Sequence, residues 1–158
     1  MSISVSINGQ QRVLEVDESR SLLDIIRNDL FLSGSHFGCG GGDCGACMML
    51  LDGRPVTSCN VPLWSVDKRD VTTIEGLREA EIGSKVMRAF VEAGAAQCGY
   101  CTSGMVVAAT GLLMNHPHPS EQVIRQQMDA NLCRCGSHLR ILKAIVRVAD
   151  DLQQDTES

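Results

Sequence analysis

Eight cysteines are the residues of this 158-residue chain whose types and spacing could do chemistry. They form two sets of four: Cys39, Cys44, Cys47 and Cys59, then Cys98, Cys101, Cys133 and Cys135. The first set opens inside "GCGGGDCGAC" (38–47), where three thiols and five glycines share ten positions. Three chemistries compete for such thiols: disulfide bridges, zinc sites and iron–sulfur clusters. Disulfides fit poorly. The opening "MSISVSINGQ" has neither the basic nor the apolar segment of an export signal, and reducing compartments keep thiols free. Cys98 and Cys101, like Cys133 and Cys135, are also too close in sequence for ordinary structural bridges.

The first set reads Cys39-x4-Cys44-x2-Cys47-x11-Cys59. Its opening has the C-x4-C-x2-C spacing of plant-type 2Fe–2S sites, whereas four-cysteine zinc sites usually come as two short knuckles. The glycines have a physical reason beside that group. A 2Fe–2S core on four thiolates is negatively charged, and its sulfurs accept hydrogen bonds. Backbone N–H groups turn inward toward it only where residues take positive φ or approach closely. Gly38, Gly40, Gly41, Gly42 and Gly45 allow both. The second set, Cys98-x2-Cys101-x31-Cys133-x1-Cys135, is less explicit. Spacing alone leaves zinc and iron–sulfur evenly balanced there.

Two kinds of scaffold must position these thiols. Residues 2–6 alternate apolar and polar up to Asn8-Gly9, a tight-hairpin signal, and "RVLEV" (12–16) supplies the return strand. "SLLDIIRNDL" (21–30) carries Leu22, Leu23, Ile26 and Leu30 at helical spacing. After the cysteine loop, "MMLLDGRPVTS" (48–58) reads as strand, Asp52-Gly53 turn and strand, and "DVTTIEG" (70–76) as a further strand. Two hairpins around a helix predict a β-grasp layout. From residue 77 the period becomes helical. "SKVMRAFVEAG" (84–94) sets Val86, Met87, Phe90 and Val91 on one face, and "SGMVVAATGLLMNH" runs up to "PHP" at 117–119. Ser120 and Ser137 are expected N-caps of two more helices. In the last one Leu139, Leu142, Ile145, Val146 and Ala149 form the predicted apolar stripe. The fold class is thus α+β: a β-grasp domain over 1–76 and an all-α four-helix bundle over 77–158. Domains this small need internal staples, and a metal core in each supplies one.

Composition narrows the function. The formal net charge is −5 and no basic stripe appears, which argues against phosphate neutralisation on a nucleic acid. The longest strongly apolar run, "GMVVAATGLLM" (104–114), is about half the roughly 20 residues of a membrane span. The chain reads as soluble and cytoplasmic by its own sequence, with co-export on a partner's signal left open.

With both cysteine sets in view, the sequence resembles the small iron–sulfur subunit of molybdenum hydroxylases, the xanthine dehydrogenase and aldehyde oxidoreductase family. The carrying motifs are "GCGGGDCGAC", the isolated "SC" at 58–59, "QCGYCTSGM" (97–105) and "NLCRCG" (131–136). All eight cysteines match in order and spacing, and the resemblance spans residues 3 to about 150. It implies two 2Fe–2S clusters, a plant-type ferredoxin domain and a helical-bundle domain. It also implies a large partner subunit whose molybdenum–pterin cofactor hydroxylates an N-heterocycle or oxidises an aldehyde. Electrons would leave through the bundle cluster and then the ferredoxin-type cluster, with Gln97 and Cys135 placed against the pterin. Where members with a flavin subunit read C-T-P-G and C-R-C-T-G-Y, this chain has "CTSG" and "CRCGSH". That variant is similar to the isoquinoline oxidoreductase and nicotinate dehydrogenase branch, which implies a cytochrome c unit as acceptor, with an FAD subunit as the alternative.

Four thiolates around each core leave no open position for substrate, so the expected chemistry is outer-sphere electron transfer, with no catalytic residue in this chain. No G-x-G-x-x-G fingerprint in a strand–turn–helix setting is present. His36, His116, His118 and His138 are expected in surface or hydrogen-bonded roles. Arg134, between two ligands, offsets cluster charge or meets a partner. The competing classes are a diffusible 2Fe–2S ferredoxin carrier and a zinc-stapled interaction module.

Overall fold

A computed structural model describes residues 2–157, with side chains through 155. The predicted domains' terminal residues, Met1 and Ser158, lie outside the described residues. The chain opens with a hairpin of β1 (Ile3–Ile7) and β2 (Gln10–Leu14). Asn8 and Gly9 turn it with φ of 51° and 77°, the paired positive angles of a two-residue hairpin loop. Ser21 caps α1 (Leu22–Asp24) by accepting the Asp24 N–H, and the helix widens into a π-helical turn over Ile25–Asp29. The second hairpin, β3 (Met48–Leu51) and β4 (Arg54–Thr57), turns on Asp52 and Gly53 at φ of 49° and 76°.

The expected strand over 70–76 is confined to β5 (Asp70–Thr72). Beyond it the chain turns away into a 3-10 turn at Gly76–Arg78. The five strands pair in the order β2-β1-β5-β3-β4, with β1 parallel to β5 and the other neighbours antiparallel. Ile3, Val5 and Ile7 point from alternate positions of β1 into a core shared with Leu22, Leu23, Ile25 and Ile26.

Four helices follow: α2 (Glu81–Glu92), α3 (Thr102–Asn115), α4 (Glu121–Met128) and α5 (His138–Glu157). Residues 104–113 of α3 are all buried, because this helix is packed by the other three and by the sheet. Ser120 caps α4 through the Val123 N–H, as expected. Two apolar faces depart from the sequence reading. In α2, Val86 and Phe90 are buried but Val91 is exposed, and in α5 the buried face is Ile141, Ala144, Ile145, Val148 and Ala149 while Leu139 stands 76% exposed. The helix is rotated so that its small Ala144 and Ala149 face the neighbours and permit close packing.

Strand β3 joins the two halves. All four of its residues are buried, with Met49 and Leu51 facing the sheet-and-helix core and Met48 and Leu50 facing the bundle. Alternation along a strand puts the two pairs on opposite faces. Gly111 of α3 allows the contact: a Cβ there would stand 2.5 Å from Pro55 and 2.8 Å from Leu50. No described helix is long and apolar enough to cross a membrane.

Candidate iron–sulfur centres

The first quartet is built by the loop between α1 and β3 and by the 3-10 turn after β4. Gly40, Gly42 and Gly45 take φ of 71°, 89° and 71°, a region that costs other residues steric strain. Their conformations turn N–H groups toward sulfur. Gly41 and Asp43 donate to Cys39 Sγ at 3.4 and 3.3 Å, and Cys39 N–H donates to Cys44 Sγ at 3.4 Å. Space is as tight as the angles are special. A Cβ at Gly38 would lie 2.6 Å from Cys44 Sγ, and one at Gly42 would lie 2.4 Å from Asn60 Nδ2. Asn60 in turn donates to the Gly41 carbonyl at 2.9 Å. Buried Ser58 hydrogen-bonds the Cys47 carbonyl at 2.6 Å, tying Cys59 to the loop.

Four cysteine thiols are the donor set of a 2Fe–2S core or of a structural zinc ion, and the N–H groups gathered on the sulfurs of the first loop suit the negatively charged cluster. Donor set, inward N–H groups and steric cradle all fit a 2Fe–2S group.

The electrostatics separate outer from inner sulfurs. The N–H groups of Gly41, Cys44 and Asp43 bring exposed Cys39 down to about 6. Burial, reinforced by the Cys47 contact, pushes Cys59 up to about 11. The same cause pushes Cys101 up to about 12. Cys98 is lowered, chiefly by the Tyr100 N–H. For Cys133 burial is the largest single influence and raises it, yet the Ser137 N–H, the Cys101 thiol and further donors together outweigh burial, so the net direction is down.

The two quartets are joined directly. Leu132 N–H donates to the Cys44 carbonyl at 2.9 Å. Asn131 Nδ2 donates to the Gly45 carbonyl at 3.2 Å. His36 Nδ1 meets the Tyr100 carbonyl at 2.8 Å, and the two rings stack with centroids 4.6 Å apart. Tyr100 Oη completes the clasp by donating to the Phe37 carbonyl at 2.5 Å. His36 therefore binds backbone and holds no ligand position. Sequence reasoning did not identify these links. Their partners lie 63 or more residues apart and carry no local signal. Gln97 is exposed and donates from Nε2 to the Cys135 carbonyl at 2.9 Å. Arg134 points to solvent.

Comparison with known proteins agrees with this two-part design. Residues 5–77 match the family described as 2Fe-2S iron-sulfur cluster binding domain, and residues 73–146 match the 2Fe-2S binding domain family. A nicotinate dehydrogenase subunit of Pseudomonas putida is 45% identical over 149 residues, covering 94% of this chain and 95% of that protein. The alpha subunit of isoquinoline 1-oxidoreductase from Brevundimonas diminuta is 45% identical over 150 residues, covering 94% and 98%. Among solved structures, quinoline 2-oxidoreductase from Pseudomonas putida 86 contains a chain that superposes with a TM-score of 0.89 at 36% identity. The match covers 98% of this chain and 96% of that one.

Proposed function

This chain belongs to the small iron–sulfur subunits of the molybdenum hydroxylases, and we propose that its eight cysteines are the ligands of a two-step electron relay inside such an enzyme. Each 2Fe–2S group, when bound, supplies one-electron exchange without an open coordination position. The chain's own residues supply the route. The observation that carries the proposal is the hydrogen bond from Leu132 N–H to the Cys44 carbonyl. It connects one ligand of the first quartet to the residue preceding a ligand of the second, so Cys44, Leu132 and Cys133 form a continuous backbone path between the sites. The Asn131 bond and the Tyr100–His36 clasp hold the two loops in that register.

At the other end, Gln97 with its bond to the Cys135 carbonyl is the proposed contact with the pterin of the large catalytic partner. Exposed Leu132, Leu139 and Tyr100 adjoin the second quartet in sequence and supply the apolar surface that a partner contact would cover. We place the domain boundary at residues 76/77, where the sheet has ended and the helices begin. The names of the relatives support an N-heterocycle as the holoenzyme's substrate. The "CRCGSH" variant supports a cytochrome c unit over FAD as acceptor from the ferredoxin-type cluster.

The test is purification through a tag on this chain from its native host. The expected preparation contains a much larger molybdenum-bearing chain, and anaerobic addition of an oxidisable N-heterocycle bleaches both clusters. A cluster-loaded chain that purifies alone is a diffusible carrier and overturns the subunit reading. A large partner whose turnover reduces neither cluster overturns the relay.

A further inference from the structure

Ser137 stands at the start of α5, two residues beyond Cys135, in the position expected of a helix cap. Its carbonyl accepts the Arg140 and Ile141 N–H groups, both at 3.0 Å. Its hydroxyl does not cap. Ser137 is 3% exposed, and its Oγ is among the few buried polar side-chain atoms with no completed hydrogen bond among the described residues. A buried hydroxyl left this way keeps its desolvation cost uncompensated, so the position calls for an interaction that the capping role does not provide. The atom the hydroxyl bears on is the Cys133 sulfur, which also takes the Ser137 N–H. Bound as a thiolate beside a thiolate, it has acceptor capacity to spare.

We propose that Ser137 is a positioning residue of the bundle cluster, its hydroxyl donating to the Cys133 sulfur and raising that cluster's reduction potential. A donor on a ligand sulfur stabilises the electron-rich reduced state more than the oxidised one. Cys133 is also the ligand at which the Leu132–Cys44 path begins, so the hydroxyl acts on the ligand from which the proposed path leads to the ferredoxin-type cluster. The proposal rests on the two-cluster reading above and extends it to the relative potentials of the two sites.

The experiment uses the full chain with both clusters loaded, comparing wild type with Ser137→Ala and Ser137→Thr. EPR-monitored redox titration should show the bundle cluster of Ser137→Ala about tenfold harder to reduce, a fall of about 59 mV for one electron. The ferredoxin-type cluster should not move, and Ser137→Thr should recover most of the shift. Resonance Raman of wild type should show iron–thiolate stretches that move in D2O, with one such shift lost in Ser137→Ala. An unchanged bundle potential, or equal changes at both sites, overturns the proposal. Should Ser137→Ala fail to load the bundle cluster, absence of any D2O shift there in wild type overturns it equally. Wild-type protein that assembles no second cluster would count against the two-cluster reading instead.

Discussion

Gly104, in the first turn of α3, is where the bundle presses hardest on the first cysteine loop. A Cβ at this position would stand 2.1 Å from the Gly45 carbonyl oxygen, 3.1 Å from its carbon and 3.2 Å from Ala46 Cα. The shortest contact is about 1.3 Å inside the 3.4 Å at which ordinary contact begins, and every atom involved is backbone. Two effects oppose each other in Gly104→Ala. Removing glycine from a helix favours folding by about 1 kcal/mol. Overpacking costs typically about 1–3 kcal/mol, and the upper end applies because no side chain can swing aside. The net is a loss of about 2 kcal/mol, or roughly 4–8 °C in thermal midpoint for a chain of this size. The displaced segment is also the one that holds the quartets together. The Gly45 carbonyl accepts from Asn131, and the neighbouring Cys44 carbonyl accepts from Leu132. The variant should therefore also weaken magnetic coupling between the two reduced clusters in EPR. Midpoints followed by far-UV circular dichroism and by cluster absorbance, at one scan rate, decide the matter. A variant that melts at or above the wild-type temperature with unaltered spectra would mean the loop yields freely and the reasoning is wrong.

Cys98→Ser should abolish the bundle cluster's EPR signal and leave the ferredoxin-type signal in place; simultaneous loss of both in folded protein would contradict two separate sites. Chelation under reducing conditions should lower the thermal midpoint and broaden the transition, because each quartet ties segments that are distant in sequence; an apo-protein as stable as the loaded one would contradict the staple role. Asp52 accepts the Asp70 N–H at 2.9 Å and pairs with Arg69 at 2.7 Å, and these contacts, the backbone one first, hold its carboxyl below 3.8. A depressed folded value gives stability that is present above pH 3.8 and lost as pH falls through the lower folded value. Asp52→Asn should remove that acid-side dependence at a cost below about 1 kcal/mol at pH 7, since the pair is solvent-screened; urea melts across pH 2–7 measure it, and an unchanged profile would discount the contact.

The sequence carries its clearest information where one local constraint dominates. Asn8-Gly9 and Asp52-Gly53 announce hairpins because both turn residues must take positive φ, and both do. The first cysteine spacing is legible for the same reason, since glycines with left-handed angles fall between its thiols. The second quartet is not legible alone. Its 31-residue gap is closed by α3 and α4 packing in three dimensions, so only the resemblance to a known family decides its chemistry. Periodicity misplaces Leu139 and Val91, both exposed, because a helix's rotation is set by which neighbours its small residues fit. The all-apolar "MMLL" marks a strand but not that its two faces serve different cores. Ser137 reads as a cap because type and position suit one, and only the buried, uncommitted hydroxyl points elsewhere.

Iron, acid-labile sulfide and zinc analysis on the anaerobically reconstituted full chain, joined to EPR spin quantitation after dithionite reduction, tests the central claim most directly. Two 2Fe–2S groups require equal iron and sulfide, negligible zinc, and two distinct S = 1/2 signals of one spin each that interact magnetically across the Cys44–Leu132–Cys133 bridge. Protein that is colourless, or that holds zinc without sulfide, would contradict the account at its base.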